Sequence, residues 1–208
     1  MYFKYGKKEI EYLKGKCSKL ADVIDKVGVI KREVDEDLFS AVVHNIVGQQ
    51  ISSKALETIW GRFNDGLKNI NADTIVNAGL ENLQSYGISY RKAQYITDFA
   101  LKVKRGECDL EKIKTMEDEE VIRELTKLKG IGTWTAEMLL LFCLNRKNVL
   151  SYDDLGIQRG LRMVYHHRKI TKPLFEKYRK RFSPYGSVAS LYLWEVAGGA
   201  VAEIKDYT

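Results

Sequence analysis

Proline is nearly missing from this chain: Pro173 and Pro184 are the only two in 208 residues. So few helix breakers, with little period-two alternation, leave long stretches open to helical periodicity. Cysteine is equally sparse. Cys17, Cys108 and Cys143 are odd in number, far apart and form no CxxC pair. The pattern implies neither a disulfide framework nor a zinc site, and it suits a reducing, cytoplasmic compartment. His44, His166 and His167 add no zinc-ligand spacing. Long hydrophobic runs are lacking too. The apolar stretch 138–144 is far too short to cross a bilayer, and the N-terminal residues lead into charge, not an apolar segment, so neither a secretory signal nor a membrane partner is expected.

What is present is a core and a basic balance. Hydrophobic residues make up 45% of the chain, which excludes a disordered tail. Lys and Arg outnumber Asp and Glu by 34 to 28, and the formal charge of +6 fits a polyanion such as nucleic acid. The charge is uneven. Residues 107–124 are acid-rich, whereas 159–181 holds nine Lys or Arg against the single acid Glu176. Such a run is ordinarily a solvated helical face.

Apolar spacing predicts an all-α fold. Leu38, Val42, Val43, Ile46 and Val47 share one helical face, and Ile51, Ala55 and Ile59 begin a second. Ser89 is expected to cap a helix to about Val103, with Gly106 as its stop. Thr115 and Asp118 have capping-box spacing ahead of a helix to Leu128. Trp134 to Leu144 is apolar nearly all round and should be buried on most sides. A last helix is expected from about Ser187 to Ala202. The length suits one compact unit or two interlocked helical subdomains.

The most informative string is Leu-Lys-Gly-Ile-Gly-Thr-Trp-Thr-Ala at 128–136. Gly130 and Gly132 permit a tight turn and leave backbone N–H groups uncovered near the start of a helix, a natural anion site. A DNA phosphate fits there, with Lys129, Ile131, Thr133 and Thr135 beside it. The plainer reading is an αα-hairpin turn. Asp153 and Asp154 precede a helical run, where an Asp pair ordinarily caps. Tryptophan in a helical protein ordinarily packs in the core.

The hydrophobic-x-Gly-hydrophobic-Gly-x-x-Thr-Ala string resembles the hairpin of the helix-hairpin-helix (HhH-GPD) DNA glycosylase superfamily. The segment from Val149 to Arg159, with its paired aspartates, is similar to the AlkA-type branch, 3-methyladenine DNA glycosylase II. Phe39 to Ser52 and Gly87 to Tyr95 resemble its wedge segment and its second backbone-facing turn. The chain reads as a short form without the N-terminal β-domain of longer relatives.

The resemblance implies a catalytic role for Asp154, leaving the capping role to Asp153. It implies a base pocket from Trp134, Trp194, Met138 and Tyr152, where Met138 replaces a family tyrosine. DNA contacts fall to the hairpin residues and to Ser89, Arg91, Lys92 and Arg159. Gln49, Gln50 or Ile51 supplies the wedge, with Gln50 or Ile51 favoured. Trp134 stands where lyase relatives carry a Schiff-base lysine, which implies a monofunctional enzyme. Three scattered cysteines supply no iron–sulfur cluster, and no cofactor is implied beyond a Na+ or K+ ion on the carbonyls of Thr126, Leu128 and Ile131. Two helical subdomains are expected, 35–148 and 1–34 with 149–208, with a lesion pocket in the cleft between them. The expected partner is damaged double-stranded DNA, bound by a monomer. The function implied is excision of alkylated purines. An oxidised or deaminated base on the same scaffold, and a non-catalytic DNA-binding module, stay as alternatives.

Overall fold

A computed structural model describes residues 1–206, and these form twelve α-helices with no strand, only an isolated antiparallel bridge between Tyr2 and Glu33. The all-α expectation holds. The chain divides into two compact units, Asp35–Leu144 and Met1–Val34 with Asn145–Thr208. Residues 145–148, expected in the first, thus go with the second; 207 and 208, included in that expectation, lie outside the described residues.

The central unit holds α3 (Leu38–Gly48), α4 (Ser53–Leu67), α5 (Ala72–Ser85), α6 (Tyr90–Lys104), α7 (Leu110–Thr115), α8 (Asp118–Leu125) and α9 (Thr133–Phe142). The α3 face read from the sequence is the buried one, and Phe39 stacks on Phe99 of α6 with ring centroids 4.8 Å apart. Ser89 caps α6 by accepting from the Lys92 amide, and Gly106 follows at φ 71°. Ile51 falls in the turn before α4, not in it, because Ser52 is the cap and accepts from the Ala55 amide. The Thr115–Asp118 capping box does not form. Thr115 closes α7, its hydroxyl donating to the Lys112 carbonyl, and α8 starts after Glu117. Three acids in the first turn of α8, Asp118, Glu119 and Glu120, suit its helix dipole instead. The apolar helix α9 is buried as expected at Met138–Leu141, but Trp134 stays 42% exposed.

The flanking unit holds α1 (Lys7–Lys16), α2 (Ser18–Val27), α10 (Leu155–Tyr165), α11 (Lys172–Phe182) and α12 (Gly186–Ala197). Helix α12 is its axis, buried from Gly186 through Leu193. It ends at Ala197, short of the expected Ala202, because the chain turns at Gly198 and Gly199, the latter at φ 90°. Helix α10 lies close on it: a Cβ at Gly160 would strike the Leu193 carbonyl. Leu13, Leu20, Ile157, Leu161, Phe175 and Phe182 complete this core.

Candidate active site

Two serines buried on α12 pin the segment that leads into α10. Ser187 accepts from the Val149 amide at 2.9 Å, and Ser190 donates to the Val149 carbonyl at 2.9 Å. Arg179, from the basic run, donates to the Leu150 carbonyl at 3.0 Å and lies over the Phe175 ring. That arginine therefore braces the segment from within the unit. Four residues further on sits Asp154, 7% exposed.

Asp154 is the N-cap of α10, accepting from the Ile157 amide at 2.8 Å. The capping role expected of Asp153 thus belongs to Asp154, and Asp153 is exposed. The geometry explains the exchange: Asp154 is the residue directly before the helix, and its extended backbone, φ −83° and ψ 112°, is that of an N-cap. The same oxygen, Oδ1, also accepts from Nε1 of Trp194 at 2.9 Å. Gly156 makes room for the indole, since a Cβ there would lie 2.8 Å from Trp194 Cδ1. Trp194, expected as a pocket wall, is thus also a direct partner of the carboxylate. Tyr152 packs edge-on against Phe175, and its carbonyl accepts from Gln158. Arg159, expected at the DNA, pairs with Asp206 at 3.2 Å, as does Arg162 at 2.8 Å.

The other expected residues gather in the central unit, around the hairpin. Gly130 has φ 87°, and a Cβ there would meet Tyr95 at 2.6 Å, so only glycine suits this turn. Gly132 is the N-cap of α9, with an ordinary φ of −93° and open space where a Cβ would go. The fold itself does not require glycine there. Gly132 has no side chain with which to cap the amides that open α9. Thr133 is exposed beside them, whereas Thr135 and Ile131 are buried, and the Ile131 amide donates to the Leu128 carbonyl at 3.1 Å. Ile131 and Thr135, expected at the DNA, are thus directed into the core. Lys129 is exposed and 3.8 Å from Asp98.

The wedge segment is tied to this hairpin. Gln49 Nε2 donates to the Gly130 carbonyl at 2.6 Å. Lys92, expected at a phosphate, instead sends its ammonium to the carbonyls of Val47 and Gln49, at 2.9 and 2.7 Å. Burial lowers its pKa. It satisfies the carbonyls at the C-terminus of α3, which otherwise lack partners. Of the three wedge candidates, Gln50 is the exposed one, and it holds a left-handed φ of 56°, a conformation that costs a non-glycine residue roughly 1–2 kcal/mol. Ser89 and Arg91 are exposed at the start of α6. His44 lies edge-on to Trp60 at 4.6 Å, and burial lowers its pKa. Three of these connections were not anticipated: the Trp194 donor, the Lys92 brace and the serine anchors. No local pattern signals them, because each joins residues distant in the chain.

A capped, buried carboxylate in one unit and a glycine hairpin opening a helix in the other are the marks of a DNA-repair scaffold. The chain belongs to the HhH-GPD superfamily of base excision DNA repair proteins, which it matches over residues 43–184. It is 35% identical to DNA-3-methyladenine glycosylase 1 of Schizosaccharomyces pombe, over 86% of this chain and 76% of the relative. A solved DNA-3-methyladenine glycosidase from Bacillus halodurans is 33% identical, with a TM-score of 0.87 covering 99% of this chain and 96% of that one. S. pombe Mag1, solved in complex with abasic DNA, is 29% identical, with a TM-score of 0.80 over 92% of this chain and 97% of its own.

Proposed function

We propose that this chain is a monofunctional DNA glycosylase that hydrolyses the N-glycosidic bond of alkylated purines, of the 3-methyladenine and 7-methylguanine type, in duplex DNA. The observation that carries this reading is the Asp154 carboxylate, buried and held by two donors on one oxygen. The relatives named as 3-methyladenine glycosylases support the choice of lesion.

Breaking the bond develops positive charge on the sugar. A fixed carboxylate beside C1′ stabilises that charge without reorganising. The base leaves with the bonding electron pair, which neutralises its own positive charge. Water supplies the new oxygen at C1′ and releases a proton. To reach the bond, the nucleotide leaves the stack, and Gln50 fills the gap. An exposed indole such as Trp134 attracts a cationic base more than a neutral one. Tryptophan offers no amine for a Schiff base, so the product is an abasic site with an intact strand.

Phosphate is gripped by the first amides of α9, with Lys129 and Thr133 at their side. The neutral carbonyls of Thr126, Leu128 and Ile131 are hard oxygen donors suited to a monovalent cation, which would brace that phosphate. Leu128 O already accepts from the Ile131 amide and keeps a second lone pair for it.

Release of methylated purines from alkylated duplex DNA tests the reading. Wild type frees them and Asp154→Asn does not; equal release by both refutes the assignment.

A further inference from the structure

Among the large hydrophobic side chains described, the most exposed is Leu155, at 80%. It is the first residue of α10, directly after the N-cap Asp154. The core face of the same helix is Ile157, Leu161 and Val164, all buried, and Leu155 is not on it. The fold makes almost no use of this side chain, yet it stands one residue from the carboxylate to which catalysis is assigned.

We propose that Leu155 packs against the deoxyribose carbons of the DNA strand that carries the damaged nucleotide. The proposal rests on the reading of Asp154 given above. Neighbouring Cα atoms are about 3.8 Å apart, so a strand that brings an anomeric carbon to Asp154 brings sugar within reach of Leu155. The chemistry selects the sugar over the phosphate. A leucine has no donor for an anion, and the C–H surface of deoxyribose is the apolar part of the backbone. The contact is made equally in substrate, transition state and abasic product, so it strengthens binding and leaves the chemical step alone.

The test uses the full chain and a duplex with a tetrahydrofuran abasic analogue, titrated by fluorescence anisotropy at several salt concentrations. Leu155→Ser should weaken binding by about tenfold. Its salt slope should equal that of wild type, because an apolar contact releases no counterions. Its Tm should be unchanged, and Leu155→Met should bind nearly as wild type does. In excision of 7-methylguanine, Leu155→Ser should raise KM and keep kcat. Wild-type affinity in Leu155→Ser overturns the proposal, as does a shallower salt slope or a lowered Tm. The two readings fail separately. Full excision by Asp154→Asn removes the catalytic assignment, whereas an inactive Asp154→Asn beside a normally binding Leu155→Ser removes only the leucine contact.

Discussion

The indole N–H of Trp194 and the carboxylate of Asp154 are hydrogen-bonded at 2.9 Å, on the oxygen that also caps α10. One oxygen thus fixes the helix start and the orientation of the carboxylate together. The acid cannot rotate without breaking both bonds, which is the rigidity that electrostatic catalysis needs.

Trp194→Phe separates the donor from the ring. It keeps an aromatic face and loses the N–H. Removing a hydrogen bond to a charged group costs about 1.5–3 kcal/mol, so kcat should drop by roughly tenfold or more with KM little changed. A variant with wild-type kcat would show that the indole acts by stacking alone.

Asp154→Asn and Asp154→Ala should differ in stability and agree in activity. Asparagine keeps an acceptor for the Ile157 amide and for the indole, so its Tm should stay near wild type. Alanine removes the cap and should cost about 1 kcal/mol. Neither carries charge, and both should be inactive in base release. Thermal melts beside the excision assay make the comparison, and activity in either variant counts against a charge-based mechanism.

The two hairpin glycines should also part. Gly130→Ala forces a side chain into a left-handed φ and against Tyr95, and should destabilise the fold by about 1–3 kcal/mol. Gly132→Ala meets open space at an ordinary φ, so its Tm should hold. Its added methyl faces whatever approaches the start of α9, and affinity for all duplex sequences should fall alike. Unfolding and anisotropy titrations on both variants decide this, and unaltered binding by Gly132→Ala would remove the hairpin from the DNA contact.

Acid should weaken the fold through His44. Burial lowers its folded pKa, while the unfolded chain takes up the proton near about pH 6.5. Below that point the unfolded state binds more protons, so stability falls with pH until the lowered folded value is passed. His167 is shifted the same way, also by burial first. His44→Leu should therefore flatten, not abolish, the loss of stability between about pH 7 and pH 5, read from urea midpoints. An unchanged slope would mean that His44 takes no part.

Much of the site was legible where local chemistry dictates it. The Ser89 cap, the buried face of α3 and the hairpin glycines follow from patterns within a few residues. The expectations that missed did so where two local solutions were close in energy. Thr115 met its hydrogen-bond need inside α7, and the glycine pair at 198 and 199 stopped α12 early. Asp153 and Asp154 are equal candidates for a cap until the backbone angle at each is set.

Residue order alone determined the helical class, the hairpin glycines and an aspartate pair at the head of a helix, because helix periodicity, turns and caps act over a turn or two of chain. Tertiary structure decided which aspartate is buried, that Trp194 holds it, and that Lys92 serves the α3 carbonyls. Those outcomes depend on residues 40 or more positions apart meeting in space. Only burial decides whether a polar group must find a partner in the protein or can keep its water.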